Sequence, residues 1–347
     1  MMGWIRQQAE TPVLIQPFLY SAYRSRQAVL AGNLLTDQIR PIYFKYLAAA
    51  FGSVLISSIC GVVDAAMVGQ YQGPTDKTAA LAVVAPVWNI IYSLGLLTGI
   101  GGSVLFSTMR GQAAGNEKKS NEYFSAAVIG TVILAALTWV AVIFFDRQFL
   151  TLFGAEETLL PLAREYLFPI KFVVPSFLFT QLMSAFLRND GDPALATKSV
   201  LFGGVFNVFG DYFFVFTLDM GIMGAGIAMA MGSVFSLLMM LTHFFQKKNT
   251  LHLEKPTQLP AKLRAIGTTG FSTFFIDVAM GILTMIFNRQ ILKYLGTDAL
   301  SVYGILIYLL PVIAGASGIW FAMPITELVV AVFVAVMMRR CQKQPIR

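Results

Sequence analysis

The chain has 347 residues, of which 56% are hydrophobic and 12% charged, and its mean hydropathy is +0.69. Soluble domains carry about 25% charged and 45–50% apolar residues, so a soluble enzyme, a disordered chain and a nucleic-acid-binding module are excluded. The two cysteines, Cys60 and Cys341, do not make a disulfide scaffold. An all-α polytopic membrane protein remains, and its net charge of +7 has to be located before it is interpreted.

Residues 1–35 include Arg6 but no apolar core leading to a small-residue cleavage site, and residues 14–23 are too short and polar to span a bilayer. This segment is read as a cytoplasmic extension or an interfacial helix. A span needs about 20 largely apolar residues. Six such runs lie near 42–69, 79–107, 122–145, 164–187, 197–217 and 221–245, and a seventh covers 265–288. The stretch 298–338 reads as two short spans, or as one span with a re-entrant piece.

The basic residues fall in alternate loops. Arg6, Arg24, Arg26 and Arg40 precede the first span; Arg110, Lys118 and Lys119 follow the second; Arg188 and Lys198 follow the fourth. Lys247, Lys248, Lys255, Lys262 and Arg264 follow the sixth, and Arg339, Arg340, Lys343 and Arg347 form the tail. The first loop has only Lys77, and the third has Arg147 beside Asp146, Glu156 and Glu157. This positive-inside pattern puts the N-terminus in the cytoplasm and removes nucleic acid as a partner.

Two short matches suggest an internal repeat. Thr78–Val83, at the head of the second span, matches Thr297–Val302, and Gly221, Gly224, Ala228 and Met229 match Gly315, Gly318, Ala322 and Met323. The two offsets differ by about 125 residues, the length of three to four spans, so the second half is expected to lack that much. Orientation argues the same way. Two spans after the seventh would leave the basic tail outside; either 298–312 does not fully cross, or the tail lies on the wrong side, or, as favoured here, an odd number of crossings is missing.

Ionisable residues within spans cost about 2.5–3.5 kcal/mol at a helix centre and are candidates for function. Four carboxylates qualify: Asp64, Asp211, Asp277 and Glu327. Asp64 and Asp211 are expected at similar depth in the outer half, with Asn207 one helical turn before Asp211 on the same face. Two carboxylates in a dry cavity cannot both stay ionised cheaply, so such a pair can take up and release a proton. With the Asn207 amide oxygen, the same pair suits Na⁺ equally well. The bland alternative is that each aspartate bonds locally to a neighbouring helix. Asp277 is a candidate for a separate cation site, with a structural role as the alternative, and Glu327 is read as capping a helix entry after Pro324.

Proline and glycine interrupt several spans: Pro86, Gly95 and Gly99 in the second, Pro169 and Pro175 in the fourth, and Gly203, Gly204 and Gly210 in the fifth. Such breaks are tolerated where neighbouring helices re-satisfy the backbone. No enzyme constellation, cofactor motif or metal set emerges. His243 and His252 lie near or in a basic loop, Cys60 reads as packing, and Gly111-x-x-x-Gly115 has no strand before it.

Several segments resemble the multidrug and toxic compound extrusion (MATE) family of bacterial antiporters. They are Val63–Gly69 with Ala80–Ala82, Gly111–Asn116, Arg188–Pro193, Asn207–Asp211 and Gly318–Pro324, within a likeness running from about Gly32 to Gly304 and from Leu309 to Met338. The resemblance implies a MATE-like bundle with a complete six-helix N-lobe at 36–246, a linker at 247–262 and an incomplete C-lobe of about three helices at 263–338. The extension 1–35 and the tail 339–347 flank them, giving about nine spans where the family has twelve. It implies that Asp64, Asn207 and Asp211 form the N-lobe cation site and that Asp277 matches an acidic C-lobe position. Met229 stands where many relatives carry a threonine that adds an oxygen.

The implied function is H⁺- or Na⁺-coupled export of small amphipathic or cationic compounds across the bacterial plasma membrane. No cofactor is implied, and the lipid bilayer is the other partner; the oligomeric state is left open. With one lobe incomplete, export by this chain is expected near background. Two rivals stand beside this reading. A lipid-linked precursor flippase expects a cationic cavity, for which Lys171 is the main candidate. A non-transporting membrane remnant or assembly partner expects no substrate binding.

Overall fold

A chain in lipid must satisfy its backbone internally, which long apolar runs achieve as helices. In the computed structural model the described residues are 60–61, 63–71, 76–112, 116–294, 296 and 300, and every regular element among them is helical. Helix α1 includes residues 60–61 and 63–70. Helices α2 (Asp76–Gln112), α3 (Glu117–Leu152), α4 (Leu160–Lys171) and α5 (Val174–Asn189) follow. Helix α6 (Pro193–Asp211) continues into a π-helical turn, Tyr212–Thr217. Helix α7 (Gly221–Leu241) ends in a 3₁₀ turn, Thr242–Phe245, and α8 runs Leu259–Tyr294.

Among the described residues five helices are long and apolar enough to cross a membrane, or six if the α4–α5 pair, bent by 61°, is counted as one span. Only 22%, 28% and 11% of the apolar windows of α3, α6 and α8 are buried. Their outer faces present Phe144, Phe209 and Phe275, more apolar surface than a water-soluble monomer tolerates. The chain is a multi-pass membrane protein, and these faces meet lipid.

The helices overrun the apolar windows. The second and third runs become α2 and α3, 37 and 36 residues long, because charged ends such as Arg110, Glu117 and Lys118 continue the helix past the apolar stretch. Asp146 and Arg147, expected in the third loop, therefore sit on the closing turns of α3. The fourth run is two helices. Pro175 lies in the first turn of α5, where its missing N–H costs nothing. The linker expected at 247–262 ends sooner, because α8 starts at Leu259. The extension 1–35, most of the first span, Glu327, Cys341, the second-half repeat segments and the tail lie outside the described residues.

The core lies where α2 meets α4, α5 and α7. Val84, Ile91, Leu167, Leu178 and Ile222 are buried there, and α8 adds Ile291 and Leu292. A second cluster joins α2, α3 and α5 through Phe106, Phe124 and Phe186, whose rings meet edge-on at 5.6 and 5.0 Å. Small residues bring α6 and α7 together: a methyl on Gly210 would stand 3.0 Å from Ala228 Cβ, and one on Gly232 would stand 2.8 Å from Gly203 O.

Candidate functional site

Helix α1 is tied to the turn between α6 and α7. Tyr71, just past its end, donates its hydroxyl to the Asp219 carboxylate and, at 3.2 Å, to the Asp219 carbonyl; its ring meets Phe216 edge-on at 5.9 Å. Asp219 takes a positive φ of 56°, a conformation an aspartate tolerates better than most residues, and this sharpens the turn.

That tie sets Asp64, two turns before Tyr71, against α6. Asp64, Asn207 and Asp211 are all buried. The Asn207 amide is oriented by its neighbours: Nδ2 donates to Asp64 Oδ1 at 3.1 Å, and Oδ1 accepts from the Met229 backbone N–H at 3.2 Å. Met229 therefore serves this cluster through its backbone. Asp211 is wholly buried, and neither of its carboxylate oxygens has a hydrogen-bond donor among the described residues. Its neighbour is the Asp64 carboxyl, which can donate to Asp211 only while Asp64 carries a proton. A buried carboxylate without a donor is costly, and a proton or a hard cation relieves it.

Beside this cluster opens a cavity of about 630 Å³. Asp64 and Asn207 line it from one side, α2 contributes Trp88, Asn89 and Tyr92, and α5 contributes Phe177 and Gln181. Trp88 and Phe177 pack edge-on at 4.4 Å, and Tyr92 meets Phe177 at 5.9 Å. Asp277, expected at a separate site, lines this same cavity from α8. Among the described lining residues there is no lysine, arginine or histidine. Lys171, the buried base of the sequence analysis, instead pairs with Asp146, which also holds Arg164 at 2.9 Å. No group of three or more His, Cys, Asp and Glu side chains among the described residues is arranged to hold a metal.

A second polar cluster escaped the sequence analysis. His243 is fully buried, with Nε2 at 2.8 Å from Asp190 and Nδ1 at 3.4 Å from Asp192. Asp190 also accepts from Arg110 at 3.1 Å, from the Thr250 N–H at 3.1 Å and from the Thr250 hydroxyl, while Lys248 reaches Asp192 at 2.9 Å. Burial pushes the Asp190 carboxyl up. The bonds from His243 and Thr250 and the charge of Arg110 outweigh it and hold the group below the usual carboxylate range. The strap that follows is stapled to α3. Asn121 bonds Thr250 O and His252 N, Ser125 accepts from Glu254 N at 2.8 Å, and Glu122 accepts from Thr257 N at 2.8 Å and from Lys262 at 2.6 Å. His243 lies 53 and 51 residues from its aspartates, so no local spacing marks the cluster.

Comparison with known proteins agrees with this architecture. Residues 49–213 match the MatE family model. The multidrug export protein MepA of Staphylococcus saprophyticus is 26% identical over 253 residues, covering 72% of this chain and 55% of the relative. MepA of Staphylococcus aureus is 24% identical over the same shares. The chain thus spans about half the length of the curated relatives it matches. Among solved structures, the DinF-BH MATE multidrug transporter in complex with R6G superposes with a TM-score of 0.70 at 20% identity, over 87% of this chain and 72% of that one. An inward-facing multidrug resistance MATE family transporter of the MOP superfamily gives 0.65 at 19% identity, over 83% and 71%.

Proposed function

We propose that the chain is a MATE-type efflux transporter, and that its cavity binds organic cations in exchange for H⁺ or Na⁺. One observation carries the reading. Asp64 and Asp277 line a cavity that has aromatic walls and no basic residue among those described, with Asp211 buried behind. A delocalised cation is attracted by the carboxylates and by the ring faces. Asp64, Asn207 and Asp211 take the coupling ion: while Asp64 and Asp211 are both ionised neither can donate to the other, and a proton or Na⁺ offsets the cost.

The MepA relatives are named as multidrug exporters, which supports a substrate class of small amphipathic cations. The basic residues at the ends of α2, α5 and α7 support a bacterial plasma-membrane protein with a cytoplasmic N-terminus. We read 36–246 as a six-helix N-lobe and 263–338 as a short C-lobe, so drug resistance conferred by this chain stays near the vector background. The flippase reading requires a cationic cavity and is disfavoured by the lining.

Binding of ethidium, a fluorescent permanent cation, to the purified chain in detergent tests the proposal. Saturable binding is expected, weakened at least tenfold by Asp64→Asn or by Asp277→Asn. Absent or carboxylate-independent binding favours the non-transporting remnant. Resistance well above background that Asp64→Asn abolishes would contradict the reading of an inactive short lobe.

A further inference from the structure

Helix α8 lies antiparallel along α2. A methyl on Gly101 would collide with the backbone of Ile266, and one on Gly270 with the backbone of Leu97; one on Gly281 would stand 3.5 Å from Asn89 Cβ and 3.7 Å from Pro86 O. As the α2 numbers fall, the α8 numbers rise. The last contact in this register is polar: Asn288 Nδ2 donates to the Ala82 carbonyl at 2.9 Å. Asn288 is fully buried.

The acceptor is a particular one. In a helix the carbonyl of residue 82 takes the N–H of residue 86, and residue 86 is proline, which has none. Pro86 therefore strips Ala82 of its helical partner, and an amide from another helix replaces it. The contact is directional, unlike the close backbone approaches at Gly101 and Gly270. Asp277, Gly281 and Asn288 stand four and seven residues apart and share one face of α8. Ala82, Asn89 and Asp277 all line the cavity.

We propose that Asn288 is a positioning residue: by capping the Ala82 carbonyl that Pro86 leaves bare, it pins α8 to α2 and fixes Asp277 in the cavity wall. The pin stands on the contacts themselves; its part in cation binding rests on the export reading.

The test is a cross-linking cycle in the full chain, in membrane vesicles, with Cys60→Ser and Cys341→Ser. Asn89→Cys and Gly281→Cys place two thiols within disulfide range across the seam. Added Asn288→Leu is expected to slow oxidative cross-linking on the order of tenfold, the loss that goes with removing one interhelical hydrogen bond. With Pro86→Ala, residue 86 regains its N–H, and the same substitution is expected to slow it by less than about threefold. Equal slowing in both backgrounds, or none in either, would overturn the proposal. If Asn288→Leu alone fails to accumulate, recovery with Pro86→Ala supports the pin, and failure in both backgrounds overturns it. A second arm reads ethidium affinity without the introduced cysteines. Asn288→Leu is expected to weaken it in the parent and to change nothing further beside Asp277→Asn. Undiminished affinity with slowed cross-linking would leave the pin and overturn its role toward Asp277. Absence of ethidium binding altogether refutes the export reading and leaves the cross-linking result standing.

Discussion

Asp190→Asn perturbs the polar joint where the end of α5, the end of α7 and the strap meet. Asp190 accepts from Arg110, His243 and Thr250, and its side chain is fully shielded. Both His243 ring nitrogens face carboxylate oxygens, Nε2 at 2.8 Å from Asp190 and Nδ1 at 3.4 Å from Asp192. An amide keeps the shape, removes the charge and turns one donor toward other donors. Breaking a buried charge pair by removing one partner costs about 3–5 kcal/mol. Arg110 keeps a side-chain exposure of 29%, so solvent screens part of its share, and the lower end, about 3 kcal/mol, is expected. The assay is thermal unfolding of parent and variant in detergent across a pH series. Asp190 is held below its usual range in the fold, so its stabilisation is present above the unfolded carboxylate value, about 3.9. It is lost as pH falls through the folded value. The gap between parent and variant should be wide at pH 7 and close below pH 4. A gap under about 1 kcal/mol at pH 7, or one flat with pH, would refute the reasoning.

Further outcomes follow from the packing. Gly270→Ala should destabilise the chain by about 1–3 kcal/mol, because its methyl meets the backbone of Leu97. Gly267→Ala, whose methyl meets nothing within 4 Å, should be neutral or gain up to about 1 kcal/mol, and paired melting curves check the contrast. Lys171→Met should cost about 1–3 kcal/mol by leaving buried Asp146 to Arg164 and the Arg147 N–H, and Asp146→Asn beside it should cost little more; a double-mutant cycle reads the coupling.

Much of this molecule was legible before any coordinates. Apolar run length identified the crossing helices, because lipid leaves a spanning segment few options. It misplaced their ends, because a hydropathy window stops where charge begins and a helix such as α3 does not. Asp64, Asn207 and Asp211 stood out because charge inside a span is costly, and the fold brings Asp64 within 3.1 Å of Asn207. That Asp277 shares their cavity depends on how α8 docks on α2, which no local pattern encodes. His243 was hidden for a related reason: its immediate neighbours Thr242, Phe244 and Phe245 are exposed, and its partners come from the turn after α5. Pro86 announced a bare carbonyl in α2, but an uncharged amide in an apolar run gave no sign that Asn288 would cap it.

Asp64, Asp211 and Asp277 are proposed to exchange an organic cation for H⁺ or Na⁺. The most direct measurement is ethidium affinity of the purified chain titrated with acid and, separately, with NaCl against choline chloride at constant ionic strength. Competitive loss of affinity with one of the two ions, abolished by Asp211→Asn, is the predicted result. Affinity independent of both ions in the parent, or equally sensitive to them in Asp211→Asn, would contradict it.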